Sequence, residues 1–169
     1  MAKGDLTMIG VSAGARPFRV AASATRGYAG DPINNLGVRT SGASSVNTVV
    51  VLTDGKPIVG TDQFIGVAVE SMKVNSAGTV VAHSLSVAVP IPHCTRIRGK
   101  AETPASIATD AELLAILFDS TSFGLSGGVY TISETAAGDS EGLMIVEGNI
   151  VKGTLDVVVD ARVMRTDVA

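Results

Sequence analysis

Val80-Val81-Ala82-His83-Ser84-Leu85-Ser86-Val87-Ala88-Val89-Pro90-Ile91 alternates over twelve positions. Val81, His83, Leu85, Val87, Val89 and Ile91 share one side, and Ala82, Ser84, Ser86 and Ala88 share the other. Successive side chains of an extended chain point to opposite faces, so a period of two predicts a strand with one buried face. Pro90 and Pro92 carry no N–H for a ladder, which predicts that the strand ends there or lies at an edge. Just beyond, Thr95 to Ala101 sets Arg96, Arg98 and Lys100 on one face around Ile97, a basic row expected to face outward or into an interface.

The same period recurs on both sides of this segment. Val49 to Leu52 is a short apolar strand, closed by the turn signal Asp54-Gly55 with Pro57 beyond it, and residues 39–48 read as a polar loop. Phe64 to Ser71 places Ile65, Val67 and Val69 together. Later strands are expected at Val129 to Ser133, Leu143 to Glu147 and Gly153 to Val163. The last has Leu155, Val157, Val159, Ala161 and Val163 inward, with Asp156, Asp160 and Arg162 opposite.

One helix stands out, near 110–118. Thr109-Asp110-Ala111-Glu112 has the form of a capping box, and Leu113, Leu114, Ile116, Leu117 and Phe118 supply its apolar side over about three turns. Many short strands, Gly-rich turns and a single helix predict a mainly all-β fold, a β-barrel or β-sandwich with one short α-helix. Residues 1–28 are rich in Gly, Ala, Ser and Arg and are expected to form an extended N-terminal arm. Residues 29–169 then form a single β-barrel-like domain.

Composition narrows the function. Hydrophobic residues reach 46% with only 4% aromatic, so the apolar content is mostly Val, Ala, Ile and Leu, which suits strands. Charged residues are 17%, below the ~25% usual for globular proteins, and this points to a surface that is neutral or covered by partners. A single cysteine, Cys94, excludes an internal disulfide. The start Met1-Ala2-Lys3-Gly4-Asp5 lacks the apolar run of a signal peptide, and no stretch is apolar for the ~18 residues a membrane helix needs, so folding in the cytosol without a membrane partner is expected. A net charge of −3 argues against nucleic acid as the main partner. The charge is unevenly spread: Lys3, Arg16, Arg19 and Arg26 oppose only Asp5 in residues 1–30, whereas residues 102–169 hold three basic and eleven acidic side chains. A basic front and an acidic back suit packing between subunits. The candidate contacts are Arg16, Arg19, Arg26, Arg96, Arg98 and Lys100.

No catalytic constellation, cofactor site or metal site assembles from the sequence. Gly-x-Ser-x-Gly, the nucleophile elbow of hydrolases, occurs around Ser12 and Ser126. That chemistry needs a strand, a tight turn and then a helix, whereas Pro17 follows the first serine and an apolar strand follows the second. His93-Cys94 offers two zinc-type ligands where three or four are needed, and His83 reads as a hydrogen-bonded core residue. Cys94 reads as a small buried hydrophobe. A hydrolase is thus the weakest reading. A carbohydrate- or cell-surface-binding module would have only Tyr28 and Tyr130 as aromatic platforms, with no Trp.

The order of several short segments carries a resemblance. Gly30-Asp31-Pro32-Ile33 precedes Asp54-Gly55-Lys56-Pro57-Ile58-Val59-Gly60 and Phe64-Ile65-Gly66-Val67-Ala68. Then come Val87-Ala88-Val89-Pro90-Ile91-Pro92, Arg96-Ile97-Arg98-Gly99-Lys100-Ala101, Leu117-Phe118-Asp119 and Gly128-Val129-Tyr130-Thr131-Ile132. Over about residues 29–165 this resembles the capsid cement or decoration proteins of tailed bacteriophages. The resemblance implies a non-catalytic β-barrel-like virion protein, often a homotrimer. Such a protein binds the major capsid protein of the assembled head, on the capsid surface, after assembly in the host cytoplasm. A tail, spike or fibre component is the alternative within the structural class.

Overall fold

The computed structural model describes residues 6–35, 49–51, 64–126, 129–135 and 141–164. The loop expected at 39–48 and the Asp54-Gly55 turn lie outside the described residues. Twelve strands are present among them: β1 (Thr7–Ile9), β2 (Ser12–Val20), β3 (Pro32–Asn35), β4 (Val49–Val51), β5 (Phe64–Ala68), β6 (His83–Pro90), β7 (Arg96–Lys100), β8 (Ser120–Thr121), β9 (Phe123–Ser126), β10 (Val129–Ile132), β11 (Leu143–Asn149) and β12 (Thr154–Val159). Two helices, α1 (Asp110–Ile116) and α2 (Ala161–Met164), and a 3-10 turn at Pro104–Ile107 complete them. The fold is mainly β, as the period-two pattern predicts.

Two five-stranded antiparallel sheets and one hairpin share a core. The first sheet has the order β1-β7-β12-β11-β8, the second β2-β6-β5-β3-β4, and β9 pairs with β10. In the second sheet β4 comes back alongside β2, so this sheet is rolled, although no ladder joins its two end strands. The β6 alternation puts Leu85 and Val87 inside, where they meet Val20, Ile33, Phe64 and Val67. The first sheet contributes Ile97, Leu143, Ile145, Leu155, Val157 and Val159. Phe64 of the second sheet and Phe123 of β9 join the halves, with ring centroids 5.8 Å apart and tilted by 46°.

The structure corrects several expectations. Residues 6–28 are not an arm standing off the body: β1 pairs with β7, and β2 pairs with β6 from Ser12↔Pro90 to Val20↔His83. A central strand needs ladder partners on both sides, and β2 fills that role for β6 although only Val20 is fully buried and Phe18 half-buried. The β6 strand begins at His83, because Val81 and Ala82 break the alternation. Val80 is the buried residue, fixed by its bridge to Val74 and by accepting the Ser23 N–H at 2.8 Å. The β5 strand ends at Ala68 and leaves Val69 exposed. The final strand stops at Val159, after which Asp160 accepts the Arg162 backbone N–H at 2.8 Å and starts α2. Val163 is still buried, but from a helical turn beside Gly142. Cys94 is exposed, not buried.

The helix α1 carries the predicted capping box: Glu112 N–H donates to Thr109 Oγ1 at 3.3 Å, and Thr109 N–H donates to Glu112 Oε2 at 2.9 Å. It runs seven residues, nearer two turns than three. Leu113 rests against Gly148 and Leu155, a cross-strand pair near the β11–β12 turn.

Asp31 offers a pH probe of this framework. Its carboxylate Oδ2 accepts the Tyr28 N–H at 2.7 Å, and its backbone locks the turn onto β5 through Ala68 N–H at 2.9 Å. Burial pushes the carboxyl up to about 6, against the smaller opposing effect of the Tyr28 hydrogen bond. A raised folded value means that folding takes up a proton. The contribution is full below the ordinary Asp range near pH 4 and is lost as pH rises through about 6, a window of ~3 kcal/mol at its fullest. Asp31→Asn keeps an acceptor for Tyr28 and removes the charge. Its urea midpoint should exceed that of the parent at pH 7.5, and the gap should shrink at pH 5. An equal gap at both pH values would refute this.

Candidate interaction surfaces

The outer face of the first sheet carries the basic row and consumes most of it. Arg98 lies opposite Asp156 in the β7–β12 ladder, and the two form a forked pair, Nε to Oδ1 at 2.6 Å and Nη2 to Oδ2 at 2.8 Å. Arg96 pairs with Glu147 and lies 3.6 Å from Asp156. A one-residue bulge in β11 at Val146 creates this set. It shifts the register between Ile145 and Glu147, so that Glu147 stands opposite Asp156. Two carboxylates facing each other across a ladder repel, and the two guanidinium groups offset that repulsion. The Asp156 carboxylate in turn pushes the Arg98 value further above its ordinary one. Arg96 and Arg98 are therefore engaged within the chain. Lys100, at the end of β7, is exposed.

The remaining basic candidates lie on the opposite flank of the sequence. Arg16 and Arg19 are exposed on β2, and neither makes an ion pair among the described residues. Around them Ala13, Gly14, Ala15 and Pro17 are exposed and small. The corner before β2 is pinned by Thr95, whose hydroxyl donates to the Val11 carbonyl and accepts the Ile91 N–H, while the Val11 side chain stays 71% exposed. Arg26 is exposed and stacks over the Tyr28 ring, 4.9 Å from its centroid.

A third surface escaped the sequence reading. Leu114 is 67% exposed, Phe118 69% and Val151 92%. Leu113, Ile116 and Leu117 pack against the core, whereas Leu114 on α1 and Phe118 beyond its end do not; five apolar residues in six positions exceed what one helix face can bury, and this was the available signal. Phe118 has φ 69, a left-handed conformation that costs a bulky residue ~1–2 kcal/mol. It is held there by Phe118 N–H to Ile145 O at 2.8 Å and Ile145 N–H to Asp119 O at 3.1 Å. Val151 sits on the β11–β12 turn, which is fixed by Lys152 N–H to Asn149 Oδ1 at 2.9 Å and by Ala101 N–H to Gly153 O at 2.9 Å. Leu113 packs at the turn-proximal end of β11 and β12 and Gly153 lies against Pro104, whereas Phe118 is tied further along β11, at Ile145.

Compared with known proteins, the chain matches no family model, no curated protein and no solved structure. Its function is therefore argued from its surfaces.

The reactive groups singled out in the sequence are placed as follows. Ser12 opens β2 and Ser126 ends β9 opposite Val129 of β10, so each serine is followed by strand and not by the helix a nucleophile elbow needs. His83 is half-exposed; Nε2 accepts the Lys73 N–H at 3.3 Å and Nδ1 lies 2.7 Å from Val81 O, which assigns the neutral ring with its proton on Nδ1. His93 and Cys94 are exposed beside Pro92, and among the described residues no three His, Cys, Asp or Glu side chains gather as metal ligands. No described helix is long and apolar enough to cross a membrane. Tyr130 is buried, which removes it as a sugar-stacking platform. A groove of about 310 Å³ between β1 and β5, lined by Leu6, Met8, Gly30, Val67 and Val69 among others, has no titratable side chain in its wall.

Proposed function

We propose that this chain is a non-catalytic structural subunit of a virion, a capsid cement or decoration protein that binds the assembled phage head and its own copies, as a homotrimer. The observation that carries the reading is the exposure of three large apolar side chains, Leu114, Phe118 and Val151, the last two on backbone held by hydrogen bonds. Apolar groups kept exposed on a rigid frame are what a docking protein needs, since burying them on a neighbour releases water at ~25 cal/mol per Å². Display of several copies multiplies modest affinities through effective concentration. Preference for the assembled shell then stabilises it by mass action.

The test is co-sedimentation of the purified protein with assembled heads and with unassembled capsid subunits. Binding confined to heads, weakened at least about tenfold by Val151→Asp, is the expected result. Equal binding to unassembled subunits argues for a general adhesive and against a cement.

A further inference from the structure

We infer that the turn Tyr28–Asp31 is a proton-held latch on the groove between β1 and β5, shut while the Asp31 carboxyl is neutral and opening locally more often once it is ionised. The latch belongs to the isolated chain and is independent of any role in a shell.

The turn is built to move without its neighbours. On one side Gly27 is pinned: its carbonyl accepts the Met72 N–H at 2.9 Å, and its α-carbon lies so close to Val51 and Met72 that a methyl group would not fit. On the other side Pro32 and Ile33 are buried at the start of β3. Between these anchors the chain buries little apolar side chain: Tyr28 is half-buried, Ala29 is exposed, and Gly30 has none to bury. What holds 28–31 in place is polar. Gly30 N–H donates to Ala68 O at 2.8 Å, Ala68 N–H to Asp31 O at 2.9 Å, and Ala29 N–H to Ser71 Oγ at 3.2 Å. Within the turn, Asp31 N–H donates to Tyr28 O at 3.0 Å and Tyr28 N–H to the Asp31 carboxylate. Segments with few buried apolar contacts open at lower free energy than the core. Ala29, Gly30 and Ala68 also line the groove, so release of the latch removes part of its wall.

Asp31 makes the latch sensitive to protons. It is 4% exposed, and no ion pair to it is present among the described residues. A buried carboxylate without a counter-charge is costly, and the neutral acid is much less so. The ionisable groups of its own turn are Arg26 and Tyr28, and Arg26 is stacked on the Tyr28 ring. The strands β1, β4 and β5 bring none. Beyond β5, Glu70 accepts the Ser86 N–H at 3.1 Å and Lys73 is exposed. Arg162 of α2, which touches β5, pairs with Asp160 at 2.7 Å. Opening the turn hydrates the carboxyl and returns it to the ordinary Asp range, so ionisation above a pH of about 6 favours the open turn.

Amide hydrogen exchange of the full chain, followed by NMR at pH 5 and pH 7.5 and corrected for the intrinsic rate, is the measurement. The Gly30 and Ala68 amides should exchange through a local opening, less protected than the amides of β12 and unmoved by urea too dilute to unfold the protein. Their protection should fall about tenfold from pH 5 to pH 7.5, as a carboxyl that moves from about 6 to about 4 on opening requires. Asp31→Asn should abolish that fall and leave both amides as protected at pH 7.5 as at pH 5. Turn amides that exchange only together with the core, with the same urea dependence, would overturn the latch even with the global stability still tracking Asp31. A tenfold fall that persists in Asp31→Asn would overturn it as well, by assigning the proton to another group.

Discussion

Gly66→Ala should leave almost no folded protein. Gly66 lies in β5 between β3 and β6, opposite Ile33, at φ 156. A methyl group there would fall inside the Ala88 carbonyl oxygen and 3.2 Å from Val87 Cγ1. The obstacle is backbone of the central strand, and β6 cannot retreat because its other side is laddered to β2 from Ser12↔Pro90 to Val20↔His83. Relief requires breaking one of the two ladders, so the cost should exceed ~3 kcal/mol, a large share of the 5–15 kcal/mol that holds a domain together. Gly78→Ala is the matched control. Gly78 also has positive φ, 79, but nothing lies within 4 Å of its added carbon, so only the backbone penalty of ~1 kcal/mol applies. Urea unfolding of both variants checks the contrast. Similar midpoints would show that the β5–β6 approach is looser than this packing.

Truncating the aromatic bridge is the second large effect. Phe64 and Phe123 are essentially without solvent exposure and come from different sheets. Phe64→Ala and Phe123→Ala should each cost ~3–5 kcal/mol, because the removed ring leaves a cavity that laddered strands cannot collapse. The rings touch, so the double variant should cost less than the sum, by ~0.5–1.5 kcal/mol. Denaturant unfolding of the four proteins measures this coupling. Strict additivity would mean that the β9–β10 hairpin is held to the second sheet by other contacts.

Some of this framework was legible in the sequence for local reasons. The β6 strand announces itself because its apolar positions recur every two residues, and α1 because Thr109 and Glu112 cap each other across three residues. The strand β2 gave no such signal: from Ala13 to Pro17 its side chains face water, and its place in the sheet comes from backbone pairing with β6, which composition does not record. The helix α2 hides within what looks like continued alternation, and only Asp160 capping its first turn distinguishes it. Among the candidate contacts, six basic residues looked equivalent along the chain.

Period and capping, which depend on neighbours a few residues apart, were enough for the sequence by itself to determine a mainly β chain with a capped helix at Asp110. Which charges are spent and which are free was decided only by tertiary structure. Arg98 meets Asp156 across 58 positions and Arg96 meets Glu147 across 51, through a ladder register and a bulge at Val146 that local pattern does not encode. Tertiary packing likewise decided which apolar groups stay exposed: Leu113, Ile116 and Leu117 pack on the core, while Leu114 points away from it and Phe118, past the end of α1, is held at a positive φ by its N–H to Ile145 O.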